Sequence, residues 1–309
     1  MGERISVIMP CYNAASFLER GVGTVLSQTW EDVELIIIDD GSTDGTGLML
    51  DKMRDSRIKI VKQANRGVAA ARNAGLLEAT GKFVAFLDVD DTWRVDALEK
   101  LVQPLLRTED VAIAYCGWQN VGLCDGRGEP YVPPEYEDEN KLACLIRACP
   151  WPIHAALARR ETVVAVGGFP VGVKHAEDYA LWLRIACFAP IVRVPEVLAY
   201  YHFHGVGQAS ENKAAAALAH WNIQQEFLRH HGEIVASLGK SKIRELTDGY
   251  LLERGFDCYW RRDLVAARKI FRAVLGKGRF QLKNLKYLLP ALLPLYIHRY
   301  LIGIFEQRK

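Results

Sequence analysis

The sequence predicts an α/β fold, with a mostly parallel central sheet flanked by helices and a helical C-terminal extension. Two observations carry this. First, short continuous apolar runs suit strands buried on both faces, as in a sheet covered by helices; examples are Ile5-Ser-Val-Ile-Met9, Leu35-Ile-Ile-Ile38 and Phe83-Val-Ala-Phe-Leu87. Second, segments of helical length separate these runs, and parallel neighbours need such crossovers. Two of the runs also stop at adjacent acids, Asp39-Asp40 and Asp88-Val89-Asp90-Asp91. Open α/β sheets bind their ligands at the carboxyl ends of the strands.

Taken in order, Ile5 to Met9 is the first strand, closed by the turn Pro10-Cys-Tyr-Asn13. A helix follows over about 15–28. Leu35 to Asp39 is the second strand, and Asp44 or Thr46 can cap a helix running to about Asp55. Ile58-Lys-Ile-Val-Lys62 is the third strand. Gly67 to Glu78 is an Ala-rich helix with Gly81 just beyond its end. Phe83 to Leu87 is the fourth strand, and Asp96 to Leu106 the next helix. Residues 107–160 are less regular, with a strand at Val111 to Trp118 and a Pro- and acid-rich loop over 130–139. Val163 to Phe169 ends in Gly167-Gly168, Ala180 to Phe188 is helical, and Ile191 to Tyr201 contains a strand. From about Asn212 the pattern is helical, and Asp263 to Leu275 resembles the second helix of a hairpin. One hairpin is too little for a repeat array.

The 309 residues are half hydrophobic and a quarter charged, ordinary globular composition. The net charge of +2 hides an asymmetry: residues 261–309 hold 12 Lys/Arg against 2 Asp/Glu. A basic tail on an acidic body points to an anionic partner, membrane or nucleic acid. Seven cysteines at irregular spacing, none in a CxxC pair, argue against a disulfide framework and a zinc site, and a reduced cytosolic setting fits best. Met1-Gly-Glu-Arg leads straight into a strand, so no signal peptide is expected. No uninterrupted apolar run is long enough to span a bilayer. The nearest, Tyr287 to Ile297, is short and holds Pro290 and Pro294, which suits a surface-lying segment or a hydrophobic contact.

The first turn lacks GxGxxG, and the chain has no Walker GxxxxGK[ST], so phosphates must be held another way. A Mg²⁺ or Mn²⁺ ion on carboxylates does this. In an extended segment Asp88 and Asp90 would point the same way into a cleft. Each feature has a plainer reading: Asp-rich turns are common after strands, Asp178 could cap the following helix, and Arg72 could be a solvated residue on its helix.

The ordered motifs are more specific than any one of them. They are Ser6-Val-Ile-Met-Pro-Cys-Tyr-Asn13, Asp39-Asp-Gly-Ser-Thr-Asp44, Asn65-Arg-Gly-Val-Ala-Ala-Ala-Arg-Asn-Ala-Gly75 and Phe86-Leu-Asp-Val-Asp-Asp91, then Gly167-Gly-Phe169, Glu177-Asp-Tyr-Ala-Leu-Trp-Leu-Arg184 and Leu198-Ala-Tyr-Tyr-His-Phe-His204. In this order the chain resembles the family-2 glycosyltransferases, inverting enzymes of GT-A fold, over roughly residues 4–210. The resemblance implies a catalytic domain over 1–210, with a nucleotide-sugar half at about 1–106 and an acceptor half at about 107–210. Residues 211–309 are then the basic helical extension.

The resemblance also implies roles. Pro10, Tyr12, Asp40, Arg72, Asp88 and Val89 would bind the donor. Tyr12 and Asp40 would hold the base, Asp40 accepting from uracil N3. Arg72 would face the diphosphate or the base, and Asp88 the ribose. Asp90 would ligate the metal, and His204 would be a further ligand of the metal or diphosphate. Asp178 would be the general base. Trp151, His154 and Glu177 would lie on the acceptor side, although Trp151 suits the core equally. His202 stands where the family often has Arg and receives no role. Pro170 replaces an acid common after Gly-Gly-Phe, and Gly205-Val-Gly-Gln-Ala-Ser210 replaces Gly-Ser-x-Ser; its glycines suit a loop that closes over the donor.

The expected activity is transfer of a hexosyl group from a nucleotide sugar, UDP-linked by preference, to a saccharide or lipid-linked acceptor, as in cell-surface polysaccharide synthesis. A protein that binds nucleotide sugar without turnover, or a membrane adaptor on the same scaffold, is the alternative. No nucleic-acid partner is expected. The protein is expected in the cytoplasm, with room for a peripheral position on the inner face of the membrane through its tail.

Overall fold

A computed structural model describes residues 3–123, 128–204, 212–278 and 282–306, the last six by backbone alone. Two compact units divide the chain: Met1–Val173 with Glu177–Val206, and Lys174–Ala176 with Gly207–Lys309.

In the first unit, β1 (Ile5–Cys11) has no exposed side chain, as a strand covered on both faces requires. It pairs in parallel with β2 (Val33–Asp39) on one side and β4 (Phe83–Phe86) on the other, and β3 (Ile58–Lys62) adds outside β2. The sheet is mixed beyond β4. β7 (Ala156–Arg159) is antiparallel to both β4 and β6 (Ile113–Val121). β8 (Ile191–His202) runs parallel to β6, and the two-residue β5 (Thr92–Trp93) pairs antiparallel with β8. The full order is β3-β2-β1-β4-β7-β6-β8-β5. The chain builds outward from β1 to β3, then returns to the other side of β1, so the switch point lies between β1 and β4. Ligands of open α/β sheets sit at such a crevice.

Pro10 suits this place. The Ile8 carbonyl accepts from Leu87 on the β4 side, whereas the Cys11 carbonyl accepts from Asp40 on the β2 side. Neighbouring residues face opposite edges, so Pro10 faces β4, where the ladder has already ended at Ile8–Phe86. A missing N–H costs nothing there.

Helices α1 (Leu18–Leu26), α2 (Thr46–Leu50), α3 (Val68–Glu78) and α4 (Ala97–Arg107) follow the expected alternation. The second is shorter than its expected reach to Asp55. Asp44 accepts from the Thr46 N–H as proposed. On α3, Ala71 packs with Ile36 and Ile38 in one buried cluster. A Cβ on Gly75 would lie 2.4 Å from Ile8 Cγ2, so only glycine lets this helix approach β1 so closely. The irregular stretch contains α5 (Lys141–Arg147), β7 and α6 (Arg160–Ala165), and α7 (Glu177–Ala186) begins three residues before the expected helix.

The second unit comprises α8 (Lys213–His231), α9 (Gly239–Arg244), α10 (Tyr250–Trp260), α11 (Leu264–Lys277), α12 (Leu285–Leu288) and α13 (Leu295–Glu306). Asn212 and Asp263 cap α8 and α11 by accepting from the Ala215 and Ala266 N–H groups. Trp221, Leu251, Tyr259, Ile270, Phe271 and Leu288 share its core. Among the described residues no helix is long and apolar enough to cross a membrane.

Candidate active site

Three loops leave the carboxyl ends of β1, β2 and β4. The first two are tied together: Asn13 Oδ1 accepts from the Thr43 N–H at 2.8 Å, and the Asn13 N–H donates to Ser42 Oγ at 3.0 Å. Asn13 takes a left-handed conformation, φ 49°, to do so. Tyr12 stands beside it with half its surface exposed, open to stack on a planar ligand. Asp40 is buried. Its Oδ1 accepts from Gln63 Nε2 at 2.7 Å and the Arg66 N–H at 2.9 Å, and its Oδ2 from the Gly67 N–H at 2.8 Å. Asp40 thus holds the turn that opens α3, besides any part in binding a base.

The Asp88–Asp91 segment is a turn, not an extended strand: the Asp91 N–H donates to the Asp88 carbonyl at 3.0 Å. The two outward acids therefore go different ways, correcting the expectation of a shared face. Asp88 Oδ1 accepts from Arg72, whereas Asp90 Oδ2 lies 2.9 Å from His204 Nε2. Both Asp90 and His204 are about a quarter exposed. Two neighbouring ligands of an octahedral ion at 2.0–2.1 Å stand about 3 Å apart, so this pair fits a hard divalent ion. Among the described residues no three His, Cys, Asp or Glu side chains converge into a cage. An ion shared with a diphosphate needs only one or two protein ligands.

Helix α1 supports the turn from behind. Arg20 donates to the Asp90 carbonyl at 2.6 Å. A Cβ on Gly21 would lie 2.3 Å from the Val89 carbonyl oxygen, so Val89 contributes by its backbone seat against α1. Asp91 is fully buried: Oδ1 accepts from the His202 N–H at 3.0 Å, and Oδ2 lies 3.1 Å from His154 Nδ1. Burial, then the charges of Asp88 and Asp90, push the Asp91 carboxyl well above its usual range. Burial pushes His154 down to about 4. Both shifts favour uncharged forms, so an acid and a neutral imidazole pack together under the turn. His202 meets Thr92 Oγ1 at 2.8 Å. The end of β8, two residues before His204, is therefore fastened to the Asp88–Asp91 turn by Asp91 and β5.

Arg72 is 2% exposed. Its Nη1 donates to Glu177 Oε1 and its Nη2 to Asp88 Oδ1, each at 2.7 Å, and the guanidinium lies 5.4 Å from the Phe169 ring centroid. The adjacent Asn73 bonds both the N–H and the carbonyl of Phe169 at 2.8 Å. Arg184 of α7 donates to the Val166, Gly168 and Ala180 carbonyls, holding the Gly-Gly turn from the other side. Asp178, the second residue of α7, accepts at Oδ1 from the Tyr179 N–H at 2.7 Å, which is not the bond of an N-cap, and its Oδ2 lies 4.0 Å from Cys149 Sγ. Close packing of protein around it, then the charge of Glu177, push the Asp178 carboxyl up to about 7 against the pull of Arg72. Burial, then the Asp178 charge, raise the Cys149 thiol well above its usual value.

The structure brings Asp88, Arg72, Glu177 and Asp178 into one network, and Asp90 to His204. It does not open Trp151 or His154 to an acceptor: each is 1% exposed. Trp151 stacks on Tyr115 at 4.4 Å, and His154 stacks on Tyr201. The core reading of Trp151 holds, because a large ring in an aromatic cluster gains more from burial than from a wet face. Sequence reasoning missed Arg20, Gly21 and Asp91 as supports; the third acid of Asp88-Val-Asp-Asp91 was a visible signal. The loop expected over 205–210 lies outside the described residues.

The family model described as Glycosyl transferase family 2 matches residues 6–149. The Escherichia coli protein named UDP-Glc:alpha-D-GlcNAc-diphosphoundecaprenol beta-1,3-glucosyltransferase WfaP is 31% identical over 236 residues, covering 75% of this chain and 90% of that protein. The chain belongs to glycosyl transferase family 2. The crystal structure of residues 1–349 of Staphylococcus aureus TarS with UDP-GlcNAc superposes on this family-2 glycosyltransferase with a TM-score of 0.59 at 19% identity, over 92% of this chain and 88% of that one. The mannosyltransferase PcManGT from Pyrobaculum calidifontis, in complex with GDP-Man and Mn²⁺, gives 0.61 at 21% identity, over 98% and 86%. These likenesses show the GT-A fold.

Proposed function

We propose that this glycosyltransferase inverts configuration, moving a hexosyl group from a UDP-sugar to a hydroxyl of a lipid-linked or saccharide acceptor, with a divalent metal. The observation that carries the reading is the Arg72 bridge from Asp88 to Glu177, which sets Asp178, a carboxyl raised by the protein packed round it, beside the turn whose Asp90 meets His204. A general base works best with its pKa near the working pH.

The acceptor hydroxyl gives its proton to Asp178 as its oxygen bonds to the anomeric carbon. The bond from that carbon to the diphosphate breaks on the opposite face, and its electron pair leaves with UDP. Asp90 and His204 would hold Mn²⁺ or Mg²⁺, which when bound offsets the charge gathering on the diphosphate. Tyr12 offers its exposed ring to the base, and Asp88 keeps partial access for a ribose hydroxyl. The names of WfaP and of the TarS complex support a UDP-linked donor, and that of WfaP a lipid-linked acceptor.

The basic extension is read as a site for an anionic membrane surface, which would give a cytoplasmic enzyme a peripheral position. Leu289, Leu292, Leu293, Tyr296 and Tyr300 are exposed beside the cations Lys286 and Arg299. Apolar and tyrosyl surface rimmed by Lys and Arg suits the headgroup boundary of anionic lipid.

The test is UDP release from a panel of UDP- and GDP-sugars with Mn²⁺ and a GlcNAc-diphospholipid or oligosaccharide acceptor, with the product anomer read by NMR. A UDP-sugar giving the opposite anomer supports the reading. A retained anomer, or turnover with GDP-sugars alone, overturns the mechanism or the donor respectively.

A further inference from the structure

The side chain of Arg72 has almost no surface through which to meet a donor, and both of its terminal nitrogens are engaged. One end of the guanidinium is fixed to Asp88, just after β4, and the other to Glu177, the first residue of α7. These carboxylates are 89 residues apart in sequence, and each comes from a different half of the catalytic unit. Phe169 lies close to the guanidinium, and Asn73, the next residue on α3, bonds the Phe169 backbone in both directions. Helix α3 in turn is seated on β1 through Gly75. The bridge is therefore mounted on the most buried part of the sheet.

We propose that Arg72 is a positioning residue that locks the donor-side Asp88 turn to the start of α7, so that Asp178 stands where it can take the proton of an acceptor hydroxyl aimed at the anomeric carbon, before any substrate arrives. The inference rests on the reading of Asp178 as the base. It replaces the expectation that Arg72 touches the diphosphate or the nucleobase. An arginine is needed because its planar fork can donate to two carboxylates on different sides, whereas an ammonium is a single point charge. A base displaced by about 1 Å can cost roughly 10²-fold in rate.

The groups facing Asp178 are Glu177 on its own helix, Asp88 after β4, Arg72 on α3, Cys149 after α5 and the Tyr179 amide. Removing the cation leaves the anions Glu177 and Asp88, so Asp178 should hold its proton to higher pH. Removing Glu177 should release the proton at lower pH. These opposite shifts report that both charges face Asp178; the split between kcat and donor affinity separates positioning from donor binding.

The experiment uses the full chain with Arg72→Lys, Arg72→Met, Glu177→Gln and Asp178→Asn. It measures the carboxyl titration of Asp178 by ¹³C NMR, UDP affinity with Mn²⁺ by calorimetry, and kcat and KM where transfer is detected. We expect UDP affinity within about threefold of wild type in the Arg72 and Glu177 variants. The Asp178 titration should move up in Arg72→Met and down in Glu177→Gln. Transfer by Arg72→Met should fall roughly 10²-fold in kcat with little change in donor KM, and Arg72→Lys should recover part of it. If Arg72→Met fails to fold, Arg72→Lys carries the comparison of kcat with UDP affinity and Glu177→Gln the titration. A tenfold loss of UDP affinity in Arg72→Lys, with the Asp178 titration in place, would make Arg72 a donor ligand and overturn the proposal. Near-normal turnover by Asp178→Asn would overturn the base reading alone, and the UDP affinities would still decide whether Arg72 holds the donor.

Discussion

Asp178 and Asp90 are chemically the same residue in different surroundings. Asp178 is packed round by protein beside Glu177, which disfavours its ionised form; Asp90 is a quarter exposed beside an imidazole. Asp178→Asn keeps the side chain's size and cannot take a proton, so turnover should fall about 10²–10⁴-fold with UDP affinity unchanged. Wild-type kcat should rise with pH through about 7, as Asp178 loses its proton. Stability gives a second readout. The folded pKa is raised above the unfolded value, so the native state binds more protons between about 4 and 7, and stability falls as pH rises through that window. Asp178→Asn should therefore melt above wild type at pH 8, with the gap closing toward pH 4. At the other station, Asp90→Ala should abolish the Mn²⁺-dependent part of UDP binding in calorimetry. Affinity unchanged with and without chelator would remove Asp90 from the metal site.

At the scale of elements, the site depends on helices lying very close to strands and turns. The Gly21 approach to the Val89 carbonyl is backbone against backbone, so neither side can yield by a rotamer change. Gly21→Ala should push the Asp88–Asp91 turn outward and weaken UDP–Mn²⁺ binding at least tenfold, with a modest loss of melting temperature. Gly75→Ala meets a side chain, Ile8, in the central strand; overpacking of this kind costs about 1–3 kcal/mol and should appear as a lower urea midpoint. The alternation of strands and helices through α4 was legible because both periods are local properties of the chain. β7 was not. Ala156-Leu-Ala-Arg159 is short and Ala-rich, and it is a strand because β4 and β6 offer it two edges. Two-residue β5 has no pattern of its own and exists through β8.

Across the whole molecule, charge is divided between the acidic body and the basic extension. Leu288 is buried in the helical core, while Leu292 is exposed, so the apolar stretch 287–297 serves packing and surface at once. Arg272 donates to the Ala291 carbonyl, so one of the basic residues holds the turn instead of facing solvent alone. The full chain should float with anionic liposomes at low salt, bind weakly to neutral ones, and detach as salt rises, since basic residues near anionic lipid contribute about 1 kcal/mol each. Leu292→Ser with Tyr296→Ser should reduce binding while leaving the melting temperature nearly unchanged, because both side chains are exposed. A full chain that stays unbound at low salt would leave the extension a protein-contact element.

The sequence by itself determined which residues end the buried strands, because an apolar run and the acids that stop it are written side by side. It also determined the family, through motifs kept in order, and so put forward Asp90, Asp178 and His204 as candidates. Their surroundings were decided by the tertiary structure. Nothing local places Arg72 between Asp88 and Glu177, because that bridge joins segments brought together only when α3 packs on the sheet. The same holds for Asp91 against His154, and for Trp151, whose stacking on Tyr115 turns an expected acceptor contact into core. Burial and the neighbouring charges set what a carboxylate does, and both depend on contacts between residues far apart in the chain.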